Sequence, residues 1–248
     1  MGILDIFSKQ GRTERARAGN IKSAVNKFSQ SADRFKALQA LRDDGSDEAI
    51  YGLLRRFGMM YDKTIEDEQE KDWVFDVLVE KGEIILPPLE RYLASAESIS
   101  WPLRVLDKIA ERDVELTVLK KILERHEPGY ERDPTKKIQL LNHLAGLKDP
   151  QVPSLVAPYL ADMDEGVRYA AVEALVRQGD EKVASGPLLD RLIDPQEDSL
   201  RLRLQIAEGF AELRWAIPAD RRDGAQKQLP EAFKLTKDGL VDKIGRPT

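Results

Sequence analysis

One pattern of side chains returns six times along this chain, and it restricts the possible folds more than any other feature. Counted from Arg34, Lys71, Leu103, Lys137, Arg168 and Arg203, the origins lie 37, 32, 34, 31 and 35 residues apart. At offsets +3, +4 and +7 the segments read Ala37/Leu38/Leu41, Val74/Phe75/Leu78, Leu106/Asp107/Ala110, Leu140/Leu141/Leu144, Ala171/Val172/Leu175 and Ile206/Ala207/Phe210. Only Asp107 interrupts the apolar stripe. Offset +6 is small or apolar everywhere except at His143. Such spacing is that of a helix with a wide buried face.

Between these segments lie second stripes, among them Ile50/Leu53/Leu54/Phe57, Leu116/Leu119/Ile122/Leu123 and Leu188/Leu189/Leu192/Ile193. Each unit is therefore a helical hairpin. Asp44-Gly45, Lys81-Gly82, Asp149-Pro150, Gly179-Asp180 and Asp194-Pro195 fall where helices should end, and Ser100 before Trp101-Pro102 reads as an N-cap. A single hairpin cannot bury both its apolar faces, so neighbours must stack into a continuous core. The expected product is an all-α solenoid, with no alternating strand pattern competing.

The run Leu155-Val156-Ala157-Pro158-Tyr159-Leu160-Ala161-Asp162, followed by Glu165-Gly166-Val167-Arg168-Tyr169-Ala170-Ala171-Val172-Glu173-Ala174-Leu175, resembles a HEAT or HEAT-like repeat. The features shared are an apolar first helix, a turn containing Asp, then Val-Arg and spaced Ala-Ala-Leu. The resemblance covers roughly residues 31 to 215. It implies a right-handed α-α superhelix of about six stacked HEAT-like hairpins, a curved body whose second helices line the concave side. Residues 1–30 are then a basic amphipathic N-terminal arm or cap, 31–215 the solenoid, and 216–248 a C-terminal capping helix and tail.

Charge narrows the partners. The net charge is −5, yet residues 1–40 hold eight basic and three acidic residues, so the remainder carries −10. An acidic body repels a phosphate backbone, which disfavours nucleic acid. Membrane contact is expected only through the arm, where Ile3, Leu4, Ile6 and Phe7 precede the basic run. There is no cysteine, and neither a secretory leader nor a spanning run is read in the sequence, so a cytoplasmic location is expected.

If +3, +4 and +7 are buried, then +2, +5 and +9 form the exposed strip of the second helices. That strip is mixed in sign, which suits a protein partner. Its candidate partner-binding residues are Trp73, Asp76, Lys108, Arg112, Asn142, Glu173, Arg177 and Glu208. Trp73 reads either as an interface anchor or as packing across neighbouring hairpins. Trp101 reads as a staple at a helix entry, and Trp215 as packing beneath a terminal cap. The acidic run Ile65–Glu70 reads as a solvated helix start that complements the helix dipole, or as a docking loop.

Catalytic motifs are missing. His126 and His143 are the only histidines; no phosphate-cradling glycine loop, Gly-x-Ser-x-Gly elbow or His-Glu-x-x-His pair occurs. No catalytic residue, metal ligand or cofactor is assigned. The expected function is a non-catalytic scaffold or adaptor binding a protein on the concave face. The alternatives are a HEAT-like enzyme, of the DNA glycosylase or phycobilin lyase type, and a peripheral membrane adaptor acting through the arm.

Overall fold

The computed structural model describes residues 9–244. Ile3, Leu4, Ile6 and Phe7 of the arm lie outside them. Among the described residues the helices follow in chain order as α1 (Lys9–Ala24), α2 (Ser31–Asp44), α3 (Asp47–Leu54), α4 (Thr64–Lys81), α5 (Leu86–Ser95), α6 (Ser100–Ile109), α7 (Arg112–Leu123), α8 (Thr135–Gly146), α9 (Val152–Val156), α10 (Glu165–Gln178), α11 (Glu181–Ile193) and α12 (Leu200–Leu213), odd-numbered helices standing first and even-numbered ones second in each sequence repeat. Short 3-10 turns extend α3 and α9 and precede α5. The fold class is all-α, built from stacked helical hairpins.

The chain divides into two compact units, 1–122 and 123–248. In the first unit α1, α3 and α5 form one layer, and α2, α4 and α6 the other. In the second unit α8, α10 and α12 form the second-helix layer while α9 packs on α11. The register read from sequence holds: Leu38, Leu41, Val74, Leu78, Leu140, Leu141, Leu144, Ala171, Val172, Leu175, Ile206, Ala207 and Phe210 are all buried. Small residues at +6 let helices close up, since a Cβ added at Gly209 would sit 2.5 Å from Val176 Cγ2. Asp107 stays exposed near the end of the ten-residue α6 and pairs with Lys108.

Caps fix the ends. The side chains of Ser46, Asp164, Asp180 and Ser199 accept backbone N–H groups at the starts of α3, α10, α11 and α12. Gly45 and Gly179 take left-handed conformations after α2 and α10. Ser100 differs from its expected role, because it is the first residue of α6 and Ile99 occupies the cap position without a side-chain bond.

Two differences lie at the ends. Helix α1 packs on α2 and α3, with Ile21 directly over Gly52, so it completes a first hairpin whose second helix begins the repeat register. After Trp215 the chain forms α13 (Arg222–Gln228), which continues the first-helix layer onto α11. It then turns into an antiparallel pair, β1 (Phe233–Leu235) with β2 (Val241–Lys243). Strand β2 packs on α12. The terminal repeat is thus covered on both layers, by a helix and by a hairpin, where a helix and tail were expected. Thr236–Leu240 closes that hairpin around Gly239 at φ +85°, and Asp238-Gly239 is a turn signal that the sequence carries.

Candidate functional site

The turns joining the two helices of each pair carry the chemistry. In the second unit these turns span residues 124–134, 162–164 and 194–199. Asp162, fully buried, accepts Lys137 Nζ at 2.9 Å and the Gly129 N–H at 3.0 Å through Oδ2, and the Asp164 N–H at 2.9 Å through Oδ1. Arg168 donates to the Asp162 and Met163 carbonyls and reaches the next turn with two bonds, 2.9 and 3.1 Å, to Glu197. Glu197 also takes Arg191 at 3.2 Å and the Ser199 N–H at 3.0 Å. In the second and third of these turns a carboxylate is thus held by the cation of the preceding second helix, Asp162 by Lys137 and Glu197 by Arg168. Arg203, the last of the series, donates to the Asp194 carbonyl.

The first unit has a denser version. Arg34 and Arg56 are both fully buried and share Glu70: Arg34 Nη2 lies 2.7 Å from Oε1 and Arg56 Nε 2.8 Å from Oε2. Asp67 pairs with Arg56 at 2.7 Å and Lys71 at 2.6 Å, and the Tyr61 ring stacks 4.2 Å from the Arg34 guanidinium. The acidic run 65–70 therefore differs from the solvated helix start expected of it. Glu66 and Asp67 do sit in the first turn of α4, but Asp67 and Glu70 are buried ligands of basic side chains.

Burial pushes the carboxyls of Glu70 and Asp67 up, but the bonds and charges of Arg34, Arg56 and Lys71 outweigh it and hold both below the usual range. Glu197 is likewise held down: burial raises it, and Arg168, the Ser199 N–H and Arg191 more than compensate. A carboxylate depressed on folding contributes stability above its unfolded pKa, about 4, and loses it as pH falls through the folded value. Thermal midpoints are expected to be level above about pH 5 and to fall steeply below about pH 4, and circular dichroism melts across pH 2–7 check this.

The framework presents apolar groups outward. Six of the nine large apolar side chains exposed among the described residues lie in these turns or the first helical residues after them: Phe28, Met60, Ile65, Tyr130, Met163 and Leu200. In the second unit Tyr130 and Met163, 79% and 69% exposed, lie in the first two turns, and Leu200, 61% exposed, is the first residue of α12 after the third. Lys137, Asp162, Arg168 and Glu197 hold these turns through ion pairs and backbone bonds in which the three side chains take no part. Sequence reasoning missed this edge. Its signal was a large apolar residue inside a polar turn, as in Gly129-Tyr130 and Asp162-Met163-Asp164.

The expected strip on the second helices is only partly as drawn. Val105 and Ala170, at +2, are buried because that offset faces the neighbouring second helix. Trp73 shares the position, half-buried, its ring 5.0 Å edge-on to Phe35 of α2 and under Arg42 at 5.8 Å. In the first unit Asp76 and Lys108 are exposed, and Arg112, at the start of α7, binds the buried Glu115 at 3.1 Å. In the second unit Asn142 is exposed, Glu173 pairs with Arg177 at 2.7 Å, and Glu208 is taken by Lys243 of the terminal hairpin. Trp101 stacks on Phe57 at 5.5 Å, and Trp215 is buried edge-on to Phe210.

Among the described residues no three His, Asp or Glu side chains group so as to hold a metal ion. None of the helices there is long and apolar enough to cross a membrane.

A search of curated proteins returns no match. Among solved structures, the chain is similar to human deoxyhypusine hydroxylase in complex with glycerol, at 15% identity over 89% of this chain and 96% of that one, with a TM-score of 0.32. That finding corrects the expectation of a non-catalytic scaffold working through its concave face. The solved neighbour is an enzyme. A TM-score of 0.32 transfers no reaction to this chain. The family model of HEAT repeats matches residues 116–207, which contain the buried stripes and the Asp162–Arg168–Glu197 framework. Residues 116–207 of the chain are HEAT repeats.

Proposed function

We propose that the chain recognises a protein segment along the turn edge of its second unit, with Tyr130, Met163 and Leu200 as the contact residues. The observation that carries this reading is one exposed large apolar side chain in, or directly after, each of three successive turns, beside the Lys137–Asp162 and Arg168–Glu197 ion pairs that hold them. Scattered exposed apolar residues need no explanation, but a regular row along one edge does. Packed helices repeat at roughly 8–10 Å, so the row matches a segment in the polyproline II conformation with an apolar residue at every third position, about 9 Å apart on one face. The proposal concerns recognition, and the bound segment can be a substrate as well as a partner. A cytoplasmic setting is part of the same reading, supported by the absence of cysteine.

A photo-crosslinking residue placed at Met163, and in a separate protein at Asn142, tests it in native lysate. A defined adduct is expected from position 163 and is lost when Tyr130→Asp and Leu200→Asp are added. Adducts from position 142 alone, or a 163 adduct insensitive to both substitutions, would overturn the proposal. Circular dichroism confirms that each variant folds.

A further inference from the structure

A cavity of about 520 Å³ opens in the first unit between the 3-10 turn that ends α3 and the C-terminal end of α5. This volume lies within the range of small-molecule sites. Tyr51 and Tyr92 form one wall, their rings 5.8 Å apart and edge-to-face, and Val25, Met59 and Ala96 add apolar surface. The polar groups are mostly donors. Arg55 lines the cavity, and its guanidinium has no ion pair or hydrogen bond among the described residues. Tyr92 is 5% exposed; its hydroxyl lies beside Gly58, and no protein group among the described residues accepts its phenolic hydrogen. Burial pushes Tyr92 up to about 12, so it remains a neutral donor at physiological pH. Tyr51 Oη and Ser95 Oγ lie 3.3 Å apart at the same wall. Glu97 is the one acid lining the cavity, and it is exposed.

A buried hydroxyl donor, a guanidinium without a carboxylate and the Tyr51 ring, one face of which carries the Arg91 guanidinium at 4.3 Å, make a site for a flat apolar body bearing an anionic end. We propose that this cavity binds a small aromatic carboxylate, with the carboxylate on Arg55 and the Tyr92 hydroxyl and the ring against Tyr51. Arg55 supplies a charge-assisted pair, and Tyr92 fixes its orientation. The site lies in a different unit from Met163 and is independent of the turn-edge reading.

The probe is 4-fluorobenzoate, followed by fluorine NMR on the full chain. Saturable broadening is expected, with Kd on the order of millimolar for so small a ligand. Arg55→Gln and Tyr92→Phe should each weaken binding about tenfold, the loss of one charge-assisted bond, while Arg55→Lys keeps part of it and Met163→Asp changes nothing. The neutral analogue 4-fluorotoluene should not bind. Equal binding of 4-fluorotoluene, absence of saturation, or indifference to both Arg55→Gln and Tyr92→Phe in folded protein overturns the proposal.

Discussion

Glu70→Ala is expected to lower the thermal midpoint by on the order of 10 °C, equivalent to about 3–5 kcal/mol. The reason is the number of charges one carboxylate neutralises. Arg34 gives it three contacts, at 2.7, 2.8 and 3.0 Å, Arg56 gives one at 2.8 Å, and Ser31 adds a hydroxyl. Without it Arg34 keeps only the Ser29 carbonyl and the Tyr61 ring, and Arg56 keeps Met59 O and Asp67. Two guanidinium groups then remain buried with half their charge compensation gone, and desolvation cannot be recovered by rotation, because both side chains are fully enclosed. Glu70→Gln should fall between, since an amide oxygen still accepts but carries no charge. The triple variant Arg34→Met/Arg56→Met/Glu70→Leu should recover most of the loss, because an apolar replacement of a buried ion cluster removes the desolvation cost along with the attraction. Urea and thermal denaturation measure all three. A Glu70→Ala midpoint within 2 °C of the parent would show that water reaches the arginines and that the cluster is not the closed structure described.

That cluster marks the limit of what the sequence made legible. The apolar stripe could be read because burial of Leu and Val follows from hydrophobic periodicity alone, and Leu38 through Phe210 are where the period puts them. Arg34, Lys71, Lys137, Arg168 and Arg203 served only as counting origins, although each begins the buried register. A basic residue on a helix ordinarily belongs in water; Lys71 meets Asp67 within its own helix, but the acids that engage Lys137 and Arg168, Asp162 and Glu197, lie 25 and 29 residues on. Pairings of that range leave no local pattern. Offset +2 is exposed on a helix with one packed neighbour, but on α10, which lies between α8 and α12, it buries Ala170. The exposed turn residues were passed over for a different reason. Met60, Tyr130 and Met163 break no helical rule, and their exposure is visible only once the charges beside them are seen to be committed elsewhere. The terminal hairpin had a local signal, Asp238-Gly239 between Phe233-Lys234-Leu235 and Val241, in a stretch that the helical period no longer governed.

Asp162→Ala is the counterpart in the second unit, and it separates stability from presentation of the edge. The side chains of Lys137 and Asp162 are 1% and 0% exposed, so the variant leaves an ammonium group buried with the Gly129 carbonyl at 2.9 Å and Glu131 at 3.6 Å. The expected cost is again about 3–5 kcal/mol, because a buried charge has lost its partner. Asp162 also accepts two backbone N–H groups, from Gly129 and Asp164, which border Tyr130 and Met163. Their loss frees both turns, so amide hydrogen exchange at Gly129 and Asp164 should accelerate more than exchange in the core of α10. Adding Lys137→Met removes the stranded charge and should restore most of the global stability without restoring either N–H acceptor. The double variant is therefore expected to melt near the parent while its turns stay loose and its crosslinking from position 163 stays weak. If crosslinking returns together with stability, the framework sustains recognition only by keeping the unit folded; if it does not, Asp162 positions the apolar row by holding the two turns in register.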